Sequence, residues 1–342
     1  MNRSSAHTRL DYLDAVRAFA LLLGILFHAS LSFVPVYIGW AVMDVSTSDA
    51  VSVFTLISHS FRMALFFLIA GFFSRMTLKR RSIGSFLRSR ALRIGVPLVV
   101  GWFVLRPLLI AGWVMGGQSL RGAVDVGAAL QAGLTVLGDL PAGLLVGTHL
   151  WFLYYLLLIT FGVIVIRAVF GLSGTAGERL RNTADRFVGW LSRSHWALLV
   201  AALPTAGGLW FMSHWGMDTP DQSLRPHLPV TLIYGAFFSF GWLLQRQGAL
   251  ITEFAQLSWR KLGLALFATV AAIQLTPYGS EPGHARILWL KGGFVLSYAL
   301  MMWTWAALCI GAFKRWLDHS NTLVRYLADA SYWMYLIHLP IV

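Results

Sequence analysis

Apolar residues run along this chain in long unbroken stretches, separated by short polar or basic segments and without period-2 alternation. A helix needs about 20 apolar residues to cross the hydrocarbon core of a bilayer, and continuous apolarity favours helices over a membrane barrel. The runs predict nine spans, near 14–37, 52–74, 95–115, 149–170, 196–212, 229–246, 261–277, 287–312 and 323–342. The longest polar stretches are 116–148, Gly-rich and weakly apolar, and 171–195. Neither is expected to hold a soluble domain, and no internal repeat is visible. The expected fold is an all-α, polytopic integral membrane helix bundle forming one domain over 1–342. The first span also has signal-peptide features in Arg9, an apolar core Phe19–Phe27 and the small residues Ala29, Ser30 and Ser32. Eight further spans favour a retained anchor. The last span contains Asp329 and stops at Pro340, Ile341 and Val342 with no charged tail, which predicts that its end and a tenth span are missing.

Composition narrows the class. The 342 residues are 57% hydrophobic and 12% charged, with a mean hydropathy of +0.68. Soluble domains carry about 45–50% apolar and about 25% charged residues, so a soluble enzyme is excluded. The net charge of +13 would raise nucleic-acid binding if it formed one patch. Threading the spans from a cytoplasmic N-terminus instead places most basic residues in alternate segments: 3–17, 75–93, 167–193, 246–261 and 314–325. Only Arg121, Arg225, Arg286 and Lys291 fall in the opposite segments, and Arg62 and Arg106 lie within spans. The acidic residues divide evenly, so the bias is specific to Lys and Arg and reports orientation in a membrane, not nucleic acid. The single Cys309 can form no intramolecular disulfide, and the chain has no CxxC or HExxH pattern, so no metal site is expected.

Ionisable residues at membrane depth carry the candidate chemistry, because burying them is expensive. Arg17 and His28 are eleven residues apart, which on a helix is about 20° from one face and about 16.5 Å of rise. Arg17 therefore stands at the cytoplasmic mouth, where Asp14 can pair with it. His28, His59, Arg62 and His338 are expected at one depth on three helices, with His149 at the outer edge. Isolated histidines can instead serve as helix-to-helix hydrogen-bond partners, the plainer reading for His149 and His338. Arg62 should face an anion, either a carboxylate or a ligand. Tyr332, Trp333 and Tyr335 read as packing or as a binding surface. Arg90 and Arg93, at i, i+3, share a helical face suited to polyphosphate, with anionic lipid headgroups as the alternative. A phosphorylated donor at the inner arginines and a histidine base farther out together describe acyl transfer across a membrane.

The segment RLDYLDAVRAFALLLGILFHASL, with Arg17-x10-His28, resembles the signature of the acyltransferase-3 family of integral membrane acyltransferases. Arg90-x-x-Arg93 is similar to the family's second motif, and further similar segments lie at 59–74, 149–153 and 330–340. The resemblance implies transfer of an acyl group, succinyl in the best guess and acetyl otherwise, from cytoplasmic acyl-CoA to hydroxyls of a periplasmic glucan. It implies no permanently bound cofactor: succinyl-CoA or acetyl-CoA is a co-substrate. His28 and His59 would be catalytic, while Arg17, Arg62, Arg90 and Arg93 would hold the donor. Asp14, His149, His338 and Tyr335 would support the site or the acceptor. Rival readings are an O-acetyltransferase of another envelope polysaccharide and, in a different class, a polytopic transporter.

Overall fold

The computed structural model describes residues 10–138, 148–194, 196–319 and 321–342. Arg3 and Arg9, and with them the signal-peptide feature at Arg9, lie outside the described residues. The described chain is helical, with no strand among the described residues. Its helices are α1 (Asp11–Ser30), α2 (Asp49–Arg80), α3 (Ile83–Arg90), α4 (Val96–Ser119), α5 (Val126–Thr135), α6 (Trp151–Leu172), α7 (Gly174–Arg193), α8 (Ala197–Trp210), α9 (Leu228–Arg246), α10 (Leu250–Phe254), α11 (Trp259–Leu275), α12 (Ile287–Leu317) and α13 (Thr322–Ile337).

Among the described residues, seven segments are long and apolar enough to cross a membrane: Asp11–Phe33, Asp49–Arg80, Ile83–Ser119, Thr148–Leu172, Leu228–Arg246, Trp259–Ser280 and Ile287–Leu317. The spans expected at 196–212 and 323–342 are instead α8, of 14 residues, and α13, of 16. At about 1.5 Å per residue, α8 covers about 21 Å, short of a core of about 30 Å. Two ends differ from expectation for the same reason. Helix α1 stops before Pro35, with Val34 extended, and α13 stops at Ile337, before Pro340. A residue preceding proline is pushed out of the helical region. The polar stretch 171–195 is the amphipathic helix α7, and 116–148 contains α5.

The bundle has two chemically distinct ends. Arg17, near the start of α1, stacks on Phe73 near the end of α2, while His28 and His59 meet at the opposite ends of the same helices. Helix α13 runs parallel to α1: Ala328 accepts from Arg17, and His338 meets His28. The end near Arg17 also gathers the pairs Arg246–Asp185 and Arg193–Glu253 and the bond from Lys314 to Thr252. The other end carries the histidines and the loop 211–227.

Helices α2 and α12 form the middle of the core, and α2 makes its longest contact with α9. Glycine permits that contact. A Cβ on Gly71 would run into the carbonyl of Phe238, and one on Gly241 into the carbonyl of Leu68. Between apolar helices in a bilayer, such close backbone approach replaces the hydrophobic drive as the source of association. We therefore expect Gly71→Leu to destabilise the protein by about 1–3 kcal/mol or more, the range for overpacking. A lowered melting temperature in detergent checks it, with Gly235→Leu, where a Cβ meets nothing within 4 Å, as the neutral control.

Candidate active site

Four histidines and one arginine from separate parts of the chain enclose a small cavity. Its lining includes Ala20, Leu21, Gly24, Phe27 and His28 from α1 and His59, Arg62, Met63 and Phe66 from α2. His149 and Trp151 contribute at the start of α6, Thr219 from the 211–227 loop, and Tyr335 and His338 from the end of α13. The volume is about 50 Å³, room for a few waters. The lining on each helix keeps one face: 20, 24 and 28 on α1, and 59, 62, 63 and 66 on α2. The cavity thus stretches from His28 toward Arg17.

Hydrogen bonds settle the histidine tautomers. His338 Nδ1 lies 2.6 Å from the carbonyl oxygen of Tyr335, which only accepts, so Nδ1 donates. In the neutral ring its Nε2 is then an acceptor, and it receives the proton of His28 Nδ1 at 2.7 Å. That leaves His28 Nε2 unprotonated, on a ring that lines the cavity. The chain carbonyl–His338–His28 orients a base as a backbone carbonyl orients a metal-bound histidine. Trp40 stacks on His28 from the loop between α1 and α2, with centroids 5.7 Å apart, and Trp113 braces Trp40 edge-on.

His149 follows Thr148, whose φ of +49° is the one positive value at a non-glycine among the described residues. Such a conformation is costly for a β-branched residue and survives only where its surroundings hold it. Here the amide of Thr148 donates to the carbonyl of Asp221. His149 Nε2 donates to the carbonyl of Leu336 at 3.0 Å, and its Nδ1 is buried without a partner among the described residues. The Tyr335 hydroxyl donates to the carbonyl of His149 at 2.8 Å, so it ties α13 to α6. His59 is held at both nitrogens, by the Tyr298 hydroxyl at 3.0 Å and by Thr219 Oγ1 at 3.2 Å, and stacks on Phe27.

Arg62 is 5% exposed, and its Nε and Nη1 find no acceptor among the described residues. Its guanidinium lies over the Phe27 ring, 4.5 Å from the centroid, with Gly24 beside Nη1. The anion expected opposite Arg62 is therefore not a carboxylate of the described chain. Arg106, the other arginine within a span, stacks on Trp102 outside the cavity lining.

The remaining expected residues assemble at the opposite end. Arg17 pairs with Asp14 at 3.4 Å and stacks on Phe73, while Arg90 Nη2 donates to Ser74 Oγ at 3.2 Å, on the next residue of α2. Arg90 ends α3 and Arg93 lies in a π-helical turn, Ala91–Gly95, that joins α3 to α4. Arg90 folds back onto Phe86 and α2, and Arg93 stays exposed on a turn wider than an α-helical one. Tyr332 donates to the Arg93 carbonyl at 2.7 Å, so this residue of the aromatic run serves as a tie.

Sequence reasoning did not find Gly24, Trp40, Thr219 or Tyr298. Gly24 lay within reach, because it continues the Arg17–His28 face; the others join the site through contacts that no local pattern encodes. Thr219 also borders a polar groove of about 500 Å³ lined by Ser213, His214, Asp218, Gln222 and Arg225. The groove meets the cavity at the histidine end. Because Gly24 leaves the passage beside Arg62 clear, Gly24→Ala should keep activity, its Cβ making ordinary contact at 3.6 Å from Nη1. Gly24→Leu should fill the cavity and lower turnover at least tenfold at unchanged protein level, as read by the initial rate of acyl transfer.

A family model described as an acyltransferase domain matches residues 10–342. Glucans biosynthesis protein C of Escherichia coli (strain K12) is 33% identical over 149 residues, 44% of this chain and 36% of that protein. The protein of the same name from Salmonella typhi is 26% identical over 334 residues, 96% of this chain and 81% of its own length. The chain thus aligns with about a third of the Escherichia coli relative's length. No solved structure matches the chain.

Proposed function

The chain belongs to the acyltransferase-3 family, and from that premise we propose that it is a transmembrane O-acyltransferase acting on a periplasmic glucan. The observation that carries the reading is the unprotonated His28 Nε2, oriented through His338 into a cavity that also holds a guanidinium whose Nε and Nη1 find no acceptor among the described residues. A neutral imidazole nitrogen can take the proton of an attacking hydroxyl near neutral pH. Oxygen then bonds to the thioester carbonyl carbon, and collapse of the tetrahedral intermediate expels the thiolate. The imidazolium formed at His28 keeps its Nδ1 proton on His338 Nε2, which holds the ring in place. His59, fixed between Tyr298 and Thr219, positions the acceptor side.

The donor in this reading is an acyl-CoA, with its phosphates on Arg17, Arg90 and Arg93. From Arg17 to His28 the rise along α1 is about 16.5 Å, a distance suited to the extended arm that separates the phosphates of a CoA from its thioester. The inner orientation of the arginine end agrees with the positive-inside bias of the sequence. The acceptor enters from the histidine end along the groove beside Thr219. The name of the relatives supports a glucan as acceptor.

A permanently charged guanidinium away from water is costly unless an anion joins it. Succinyl carries a terminal carboxylate, and Arg62 offers it two donor nitrogens, Nε and Nη1, that have no acceptor among the described residues. Acetyl transfer to another envelope polysaccharide is the second reading, and it leaves Arg62 without that role. Mass spectrometry of periplasmic glucans from cells with and without the gene tests the function: a succinyl mass increment that depends on the gene is expected, and its absence would refute the reading. Arg62→Leu should then lose succinyl transfer at least a hundredfold while retaining acetyl transfer. Equal loss of both would assign Arg62 to the shared transition state.

For the donor, Arg90→Ala combined with Arg93→Ala should raise the acyl-CoA concentration needed for half-maximal rate with little change in the maximal rate. An unchanged donor dependence would remove this pair from the site.

A further inference from the structure

The arginine end holds a second cluster of guanidinium groups, on a different side of α2 from Arg17 and Arg90. Arg75 of α2, Arg167 of α6, Arg181 of α7 and Arg246 of α9 line one recess of about 400 Å³. Ser74, which holds Arg90, precedes Arg75 and lies about 100° away around the helix axis. The two arginine groups therefore face different neighbours: α3 on one side, and α6, α7 and α9 on the other.

The recess is built for an anion. Arg75 lies over the Trp242 ring at 5.5 Å, and its Nε is buried with no acceptor among the described residues. Arg246 and Arg167 are its charged neighbours, with Asp185 as the one acidic group beside them. Asp185 pairs with Arg246 at 3.0 Å, which leaves the other three cations without a carboxylate in the recess. Apart from Ser239 its remaining wall is apolar, including Val163, Phe170 and Leu180.

The recess is also the head of something longer. Through Ser239 and Leu243 it adjoins a groove of about 810 Å³, lined by apolar side chains of α7, α8 and α9, that reaches Phe211 and Leu228 at the histidine end. Helix α7 borders both. It is amphipathic, with Arg179, Arg181 and Arg186 among its polar residues and Leu180, Phe187 and Trp190 exposed, the composition of a helix lying along a membrane surface. Phosphate-sized charge at one end and acyl-chain-sized apolar length at the other describe one class of molecule.

We propose that this recess binds an anionic phospholipid of the leaflet at the arginine end, its phosphate among Arg75, Arg167, Arg181 and Arg246 and one acyl chain along the α8–α9 groove. Basic pockets between helices at that face are the usual seats of anionic headgroups. The inference stands apart from the acyltransferase reading, since none of these residues lines the histidine cavity. Bound there, the lipid would tie α7 to α2, α6 and α9, so its effect is on stability.

The test titrates the delipidated full chain in neutral detergent and follows its melting temperature. Phosphatidylglycerol should raise it saturably, and phosphatidylcholine of the same chains should not. Arg167→Gln with Arg181→Gln should shift the half-saturating phosphatidylglycerol concentration about thirtyfold. Should the pair fail to fold, Arg167→Gln alone, at an exposed side chain, should shift it about fivefold. Glycerol phosphate acting as well as the lipid would mean a free-phosphate site and overturn the proposal. Displacement of the lipid by CoA would make it part of the donor site instead. Equal effects of the two lipids, or variants that respond like the wild type, would equally overturn it.

Discussion

A guanidinium held away from water with no carboxylate of the described residues opposite it is the constraint around which this bundle is arranged. Arg62 is too costly to bury for packing alone, and the protein surrounds it with the Phe27 ring face, a glycine that gives it room and histidines that bring no negative charge. Everything near it then has a reason. In the proposed reaction its partner arrives with the substrate, and the base beside it is fixed by neutral hydrogen bonds. The carbonyl–His338–His28 chain does this, and it joins the two ends of the described sequence through α1 and α13.

The same helices connect the two chemistries. Because α1 is continuous from Asp11 to Ser30, Arg17 and His28 keep a fixed separation and a shared face. Helix α2 repeats the arrangement in the opposite direction, from His59 and Arg62 to Phe73 and Ser74. Its position in turn depends on Gly71 and Gly241, which let α2 and α9 meet backbone to backbone. Packing at the glycines therefore sets the register of the site.

What the sequence disclosed follows from which features are local. The Arg17–His28 stripe, the common depth of His28, His59, Arg62 and His338, and the Asp14–Arg17 pair all follow from helix geometry, and the structure brings them together. Helix ends were less legible. Hydropathy sums residues and ignores proline, so the apolar run continues to 342 while α13 ends at Ile337. A π turn is likewise invisible in a spacing rule, so the turn Ala91–Gly95 between Arg90 and α4 is not foreseen. Tyr298 and Thr219 reach His59 across 239 and 160 residues of sequence, and only the assembled bundle brings those contacts together.

The central claim is that His28 Nε2 is the base that activates the acceptor hydroxyl. Its most direct test is the initial rate of acyl transfer by His28→Ala, measured on purified protein whose melting temperature matches the wild type. Loss of the base should lower the rate about 10²–10⁴-fold, the usual contribution of a positioned general base. A variant that transfers at the wild-type rate would contradict the account.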